Sequence, residues 1–464
     1  MTLITSISGI RGTLGGKPGE GLSPVDIMKF TVAYGEWLKN RFPEKRIKIL
    51  IGRDARISGP IVNKLVTSTL QFMGIDIIDA GMAPTPTIGI GVREYQCHGG
   101  IILTASHNPK NWNALKLLNE KGEFLNTAEG EEMMKYSHVE NAVFAPVEKT
   151  GSYTLEEGVI EMHIEKILEL DLVDTEAIAA ANFHVVVDAV NSVGGIAVPM
   201  LLDALGVKKV TELFCDPNGL FPHNPEPLPE NLSILSGEVE KSTAQVGFAL
   251  DPDVDRLAIV CNNGEMFGEE YTLVSVADYI LQHQPGNTAS NLSSTQALKD
   301  ITEKHGQHHY ASAVGEINVV EKMKDVNAVI GGEGNGGVIY PAIHYGRDAL
   351  TGIALFLSHL AKSKKTVVGL KKGLPDYFIS KHKIELSKGI DLGAILEKIA
   401  NQYKKQKIDK TDGVKIHFDK EWVHLRKSNT EPIIRIYAES DSEVKSEALA
   451  KKLLNDISNL IKES

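Results

Sequence analysis

Three aspartates, Asp251, Asp253 and Asp255, alternate through the segment DPDVDR, directly after the apolar run Val246 to Leu250. Alternate residues of an extended segment point the same way, so the spacing predicts three carboxylates that can meet one cation. Hard oxygen ligands suit Mg²⁺, which binds few carboxylates and completes its octahedron with phosphate or water. Arg256 follows, and a guanidinium can grip a phosphate in forked geometry. The competing reading is a solvated acidic turn. Against it stands the mutual repulsion of three like charges placed straight after a buried strand. An EF-hand is disfavoured, because the Gly and Glu spacing it requires downstream is missing.

A second constellation is Thr104-Ala105-Ser106-His107-Asn108-Pro109, which follows the apolar run Gly99 to Leu103. Ser106 could be a nucleophile or a phosphate carrier, with His107 as base or orienter, or the pair could simply cap a turn. Lys116, further along the same segment, could neutralise a phosphate. The glycine-rich stretch Gly331 to Gly337 lets backbone approach a ligand closely, and its Glu333 and Asn335 could grip sugar hydroxyls. No Lys-Ser/Thr closes it, so it is not a Walker-type loop, and a plain turn is the other reading. Near the C-terminus, Arg426 and Arg435 flank Ser428, Asn429 and Thr430 in RKSNTEPIIR, either as a phosphate cradle or as surface charges on strands. Arg11 and Arg53 are cationic candidates near the start of the chain. Arg53 and Asp54 could instead be a structural ion pair.

The elements that must position these loops alternate in type. Ser23-Pro24 reads as a helix N-cap with Pro in the first turn, and Ile27, Phe30, Tyr34 and Trp37 then recur at helical spacing. Apolar runs from Ile47, Ile75 and Gly99 read as strands, with a helix over Pro60 to Met73 between the first two. The pattern restarts at His184, at Val246 and after Leu257. Strand–helix alternation indicates α/β layers with mostly parallel sheets. The last stretch, with KHKIEL, VKIHF, WVHLR and IIRIYAE between two helices, reads as α+β. The expected division is 1–150, 151–257, 258–372 and 373–464. In each α/β unit a strand runs straight into one of the polar loops. Ligands bind at the carboxyl ends of strands in open parallel sheets, so the three loops could converge on one cleft.

The whole chain sets limits. Its 464 residues, with 42% hydrophobic and 23% charged, fit a globular protein of three or four domains. A formal net charge of −11 disfavours nucleic acid and anionic lipid as broad partners. It would also repel a sugar phosphate, so cations must be concentrated locally if one is bound. Cys97, Cys215 and Cys261 are too few and too scattered for a disulfide framework or a zinc site. With no leader-like start and no apolar run of membrane length, the expectation is a cytoplasmic monomer or homodimer.

Taken together, SGIRG, GRDARISG, TASHNP, VDAVNSVGG, DPNGLFPHNPEPLPENL, DPDVDR, GGEGNGG and RKSNTEP resemble, in order and over nearly the whole chain, the α-D-phosphohexomutase superfamily. The resemblance implies three related α/β domains with mixed, mostly parallel sheets and a C-terminal α+β domain around a central cleft. It implies that Ser106 carries the phosphoryl group and joins Asp251, Asp253 and Asp255 around Mg²⁺. Lys116 and Arg11 match cations beside that group. Glu333 and Asn335 match the sugar loop, and Arg426, Ser428, Asn429 and Thr430, with Arg435, match the phosphate loop. It further implies interconversion of hexose 1- and 6-phosphates through a hexose 1,6-bisphosphate, which also serves as activator. Family members acting on glucose or mannose phosphates often carry Ser at Asn335 and His at Gly337. The Asn form tilts the expected substrate towards glucosamine phosphate. Glucose or mannose phosphate is the alternative, followed by a phosphatase or a non-catalytic sugar-phosphate binder. The His missing at Gly337 leaves a gap that His344, seven residues on, could fill.

Overall fold

The Ser23-Pro24 signal starts a helix, Pro24–Arg41, in the computed structural model, which describes residues 1–6, 9–385, 391–427 and 433–462. Ser23 and Asp26 form a reciprocal capping box, and Lys39 and Arg41 lie at the carbonyl end, where positive charge is favoured. Ile27, Phe30, Tyr34 and Trp37 are all buried, as the helical spacing requires. The Tyr34 hydroxyl lies between the carbonyls of Leu118, at 2.6 Å, and Gly100, at 3.1 Å. A side chain at Gly99 would collide with that hydroxyl.

The chain divides into two compact units: Met1–Thr272 with Asn335–Lys371, and Leu273–Gly334 with Lys372–Ser464. The first unit holds two sheets. Strands β1 (Leu3–Ser6), β2 (Gly9–Thr13), β3 (Lys48–Arg53), β4 (Asp76–Met82), β5 (Gly99–Leu103), β6 (Trp112–Leu118) and β7 (Tyr153–Leu155) form a mixed sheet in the order β1-β2-β6-β5-β3-β4-β7. Its β5-β3-β4-β7 half is parallel and its β1-β2-β6-β5 half antiparallel. Strands β8 (His184–Asp188), β9 (Lys209–Leu213), β10 (Val246–Leu250) and β11 (Leu257–Cys261) form the second sheet in the order β11-β10-β8-β9. Only the β10–β11 hairpin is antiparallel there.

Two strands run just beyond the expected boundaries at 150 and 257. Strand β7 pairs with β4, so the first sheet closes beyond residue 150. Strand β11 pairs with β10 along its whole length, so the second sheet extends past 257. In both places the last strand lies beyond the obvious loop, and only pairing reveals its sheet.

In the second unit, β12 (Asn287–Asn291) is flanked by β13 (His309–Ser312) and β14 (Ala328–Glu333), all parallel. The short strand β15 (Gly337–Ile339) belongs to the first unit. The last sheet of the second unit is antiparallel in the order β16-β20-β19-β18-β17, from β16 (Phe378–Glu385), β17 (Lys407–Asp409), β18 (Val414–His417), β19 (Trp422–Lys427) and β20 (Ile433–Ser440). Ile416, Val423, Leu425 and Ile436 of this sheet cluster with Ile395 and Ile399 of the helix Leu392–Gln402 and Leu453 and Ile457 of the helix Glu443–Lys462. The α+β reading therefore holds.

The three cysteines are free, and burial pushes their thiols up to about 11 for Cys97 and Cys261 and about 12 for Cys215. Among the described residues no helix is long and apolar enough to cross a membrane.

Ser23→Ala removes the cap and half of the capping box, and the expected loss is ~1 kcal/mol of stability. Urea unfolding of the two proteins measures it. An unchanged midpoint would show that the helix is held by its packed face alone.

Candidate active site

The site is built where two strands end. Strand β5 is buried along its whole length and delivers Thr104, Ala105 and Ser106 at its carboxyl end. Ser106 has φ +49°, a left-handed conformation uncommon for a residue with a side chain. The loop is held there by its neighbours. Ser106 N donates to Thr104 Oγ1 at 3.0 Å, and that hydroxyl donates to Asp54 Oδ2 at 2.7 Å. Arg56, fully buried, is the main tie. Its Nε donates to Asp54 Oδ2 at 2.9 Å, and its terminal nitrogens donate to the carbonyls of Ser106, Asn108, Pro109 and Trp112.

This corrects the reading of GRDARISG, because the buried ion pair is Asp54–Arg56 rather than Arg53–Asp54. Arg53 lies away from the site, in a pocket of about 470 Å³ whose lining includes Lys64, Asp79 and Tyr153. The alternation of Arg53 and Arg56 around Asp54 gave the sequence no means of choosing between them.

Strand β10 ends at Leu250, and the hairpin to β11 carries the three aspartates. The loop is a turn, not the extended segment expected. Val254 sits at φ +62°, its N–H donates to Asp251 O, and Asp251 Oδ1 accepts from the N–H groups of both Asp255 and Arg256 at 3.1 Å. The turn folds the carboxylates inward, so three ligand oxygens lie within 4.8 Å of one another, all fully buried.

Each carboxylate has one oxygen pinned by the protein. Asp253 Oδ2 accepts from Thr85 Oγ1 at 2.5 Å and Lys116 Nζ at 2.7 Å. Asp255 Oδ2 accepts from Arg347 Nη2 at 2.7 Å and Lys116 Nζ at 3.4 Å. The other oxygens, Asp253 Oδ1 and Asp255 Oδ1, are buried without a hydrogen-bond partner. The remaining oxygen of Asp251 accepts from Ser106 Oγ at 2.8 Å. An unpaired buried carboxylate oxygen costs more than the ~1–3 kcal/mol of an unsatisfied neutral group. Two of them beside a third carboxylate fit a small hard cation.

Charge is balanced around this core. Burial, with Asp255 and Asp253 beside it, pushes Asp251 well above the usual carboxylate value. Burial alone would do the same to Asp253, but the Lys116 ammonium and the Thr85 hydroxyl hold it below. Burial, then the charge of Arg256, keeps the His107 imidazole well below its ordinary value and therefore neutral; Arg347 and Arg11 act in the same direction. His107 Nδ1 is 3.3 Å from Ser106 Oγ, and Nε2 is 3.9 Å from Glu226 Oε1. Glu226 also meets Arg256 at 3.3 Å. Arg11, on β2, is shifted down by burial and by Arg256. The local concentration of cations that a net-acidic protein needs for a phosphate ligand is thus present around Ser106.

The loops are also joined to one another. Ser192 Oγ, from VDAVNSVGG, donates to Pro252 O at 2.6 Å and accepts from Ala55 N at 3.3 Å. Gly336 O accepts from Leu257 N at 3.0 Å, at the end of the aspartate loop. The structure therefore brings Ser106, His107, Lys116, Arg11, Arg256 and the three aspartates together. Sequence reasoning missed Arg56, Thr85 and Arg347. None of these stands in a run of like residues: Arg56 and Arg347 act from loops, and Thr85 from the first position of the helix Thr85–Glu94.

His344 does not fill the gap at Gly337. Its ring lies near Asp348, at 3.9 Å, with neither nitrogen hydrogen-bonded, and burial lowers its pKa to about 4. In the second unit, Glu333 Oε1 accepts from Asn291 Nδ2 at 3.0 Å. Arg426 and Arg435 face each other as a cross-strand pair of β19 and β20, with Asp412 3.3 Å from Arg426. Like charges directly opposite are unfavourable without an anion between them. Ser428, Asn429 and Thr430 lie outside the described residues. In the first unit, Asn335 Oδ1 is buried and has no hydrogen-bond partner.

Models of four phosphoglucomutase/phosphomannomutase domains match in order: α/β/α domain I over residues 3–142, domain II over 161–264, domain III over 268–378 and the C-terminal domain over 383–455. A phosphoglucomutase/phosphomannomutase of Thermococcus kodakarensis is 36% identical, over 94% of this chain and 95% of that protein. A probable phosphoglucosamine mutase of Pyrococcus horikoshii is 32% identical over 98% of both chains. The crystal structure of a phosphoglucomutase/phosphomannomutase family protein from Burkholderia thailandensis superposes with a TM-score of 0.84, at 25% identity, over 99% of this chain and 98% of that one. With four ordered domains, full-length relatives and a serine facing a buried aspartate triad, the chain belongs to the phosphoglucomutase/phosphomannomutase family of the α-D-phosphohexomutase superfamily.

Proposed function

We propose that this phosphohexomutase interconverts the 1- and 6-phosphates of glucosamine, with Ser106 as the phosphoryl carrier. The observation that carries the reading is the Ser106 hydroxyl, 2.8 Å from Asp251 in a triad with two unpartnered oxygens. Phosphorylation replaces the hydroxyl proton, removes that hydrogen bond, and leaves Asp251 Oδ2 facing the same space as Asp253 Oδ1 and Asp255 Oδ1. These three oxygens and a Ser106 phosphate oxygen would hold Mg²⁺. The ion would draw charge from the transferring phosphoryl group.

The residues then divide the work. A free hydroxyl of the bound hexose monophosphate attacks the phosphorus on Ser106, the P–Oγ bond breaks, and the hydroxyl proton passes, on balance, to Oγ. Neutral His107, 3.3 Å from Oγ, can carry that proton. Lys116, Arg11 and Arg256 compensate the charge of the phosphoryl oxygens, which is most of what such a transfer requires. The resulting 1,6-bisphosphate presents its other phosphate to Ser106, and the same steps run in reverse. An added hexose 1,6-bisphosphate would charge Ser106 and so act as activator. Glu333 would take sugar hydroxyls, and the Arg426–Arg435 pair a phosphate.

Ser106→Ala should abolish turnover while the protein stays folded. Intact-mass analysis of the wild type should show a phosphate-sized increment on the peptide containing Ser106. Near-normal activity of the variant would end the carrier role.

Asp253→Asn should lower the affinity for the activating cation about tenfold or more, in keeping with the loss of a ligand oxygen's charge. Chelation by EDTA should silence the wild type and added Mg²⁺ restore it. Full activity of the variant at the same metal concentration would contradict the assignment.

The amino-sugar preference rests on Asn335. Its unpartnered amide oxygen is an acceptor, and an amino group at the 2-position supplies donors. The phosphoglucosamine mutase name of the P. horikoshii relative agrees with it. The T. kodakarensis relative, named phosphoglucomutase/phosphomannomutase, favours a neutral sugar instead. Comparing kcat/KM for the 1-phosphates of glucose, mannose, glucosamine and N-acetylglucosamine decides. A tenfold lead for glucose or mannose, about 1.4 kcal/mol in the transition state, overturns the amino-sugar assignment.

A further inference from the structure

Arg347 is 8% exposed and donates from Nη2 to Asp255 Oδ2 at 2.7 Å. To reach it, the side chain passes directly over Gly337 in β15. A Cβ built on Gly337 would lie 2.3 Å from Arg347 Cδ and 3.0 Å from Cγ, far inside contact distance. Gly337 is not in the left-handed region, unlike Gly336 at φ +83°, so its backbone would accept any side chain. What forbids one is chiefly the arginine stem, with Asn335 Oδ1 a lesser obstacle at 3.1 Å. The arginine atoms in the way are mid-chain, so moving them moves the guanidinium as well.

We propose that Gly337 and Arg347 act as one device, in which the missing side chain at 337 lets Arg347 fix the orientation of Asp255. The proposal rests on the reading that the aspartate triad binds a divalent cation. With Oδ2 held by Arg347 and, at 3.4 Å, by Lys116, the carboxylate cannot turn, and Oδ1 is left buried without a hydrogen-bond partner. The only other cation close to Oδ1 among the described residues is Arg256 Nε, at 4.0 Å. Arg347 is therefore a positioning residue acting through Asp255. It occupies the place where a side chain at 337 would otherwise stand, which accounts for the Gly-for-His departure without help from His344. The neighbouring Asp348 fixes the backbone of Arg347, since Asp348 caps the helix Ala349–Ser363 through the N–H groups of Leu350 and Thr351.

The test is a double-mutant cycle on the full-length protein, read by Mn²⁺ binding in electron paramagnetic resonance rather than by turnover. Arg347→Ala and Gly337→Ala should each weaken Mn²⁺ about tenfold or more, the usual effect of losing a partner of a metal ligand. In the double variant the added methyl meets no arginine. Its affinity should equal that of Arg347→Ala alone, where independent effects would multiply to about a hundredfold. Circular dichroism checks that each variant folds, and Gly337→Ala alone tests the device if Arg347→Ala does not. Unchanged or tighter Mn²⁺ binding in either single variant, or multiplying effects in the double variant, overturns the proposal. A wild type that binds no Mn²⁺ overturns it together with the cation reading on which it rests.

Discussion

The structure around the site depends on keeping three aspartates buried within 4.8 Å of one another. Bare, such a cluster would be pushed apart or protonated, because burial and mutual repulsion both disfavour the charged form. The protein answers with cations brought from other segments: Lys116 from the first sheet, and Arg347 from just before the helix Ala349–Ser363. Each takes one oxygen of a carboxylate and leaves the other. The compensation is therefore partial by construction. Enough charge is neutralised for the loop to fold, and enough remains for a divalent ion. A cluster paired completely would be stable and inert.

The same constraint bears on the strained backbone in the two loops of the site. Ser106 and Val254 both lie in the left-handed region, at φ +49° and +62°. For a β-branched residue such as Val254 this is costly. Each is over-determined by neighbours: Ser106 by Thr104 and by Arg56, Val254 by the bond from its N–H to Asp251 O and the bond from Ala349 N to its carbonyl. In these two loops, which follow β5 and β10, the strain falls where the chain turns the site side chains toward one another. It is tolerated because a fully buried arginine and a capped helix lie directly behind.

Much of this was legible in the sequence, for a definable reason. Strands and helices with strong periodicity, such as Pro24–Arg41 and Gly99–Leu103, announce themselves through burial. The aspartates and Ser106 announce themselves as polar residues placed straight after such runs. What was not legible depends on pairing between distant segments. The DPDVDR spacing suggested an extended loop segment, whereas hydrogen bonds to Asp251 Oδ1 make it a turn. Asp54 had two arginines to choose from and took Arg56. The ends of two sheets were set by β7 and β11, whose partners lie across loops. Arg347 was invisible, since nothing in GRDAL marks its arginine as different from any surface charge.

An acidic protein that handles an anionic substrate must solve the same electrostatic problem twice. With a net charge of −11, the surface as a whole repels a sugar phosphate. Attraction has to be local and reached at close range, where a few desolvated cations outweigh many screened charges. Around Ser106 those cations are Lys116, Arg11, Arg256 and Arg347, and two of the four are already committed to aspartates. Their positive charge is thus held ready rather than exposed, so it does not advertise the site to every anion. A divalent ion held by the three aspartates would share their negative charge and so weaken the hold on Lys116. Lys116 Nζ already lies 2.7 Å from Asp253 and 3.4 Å from Asp255, so an anion can claim this ammonium only against two carboxylates.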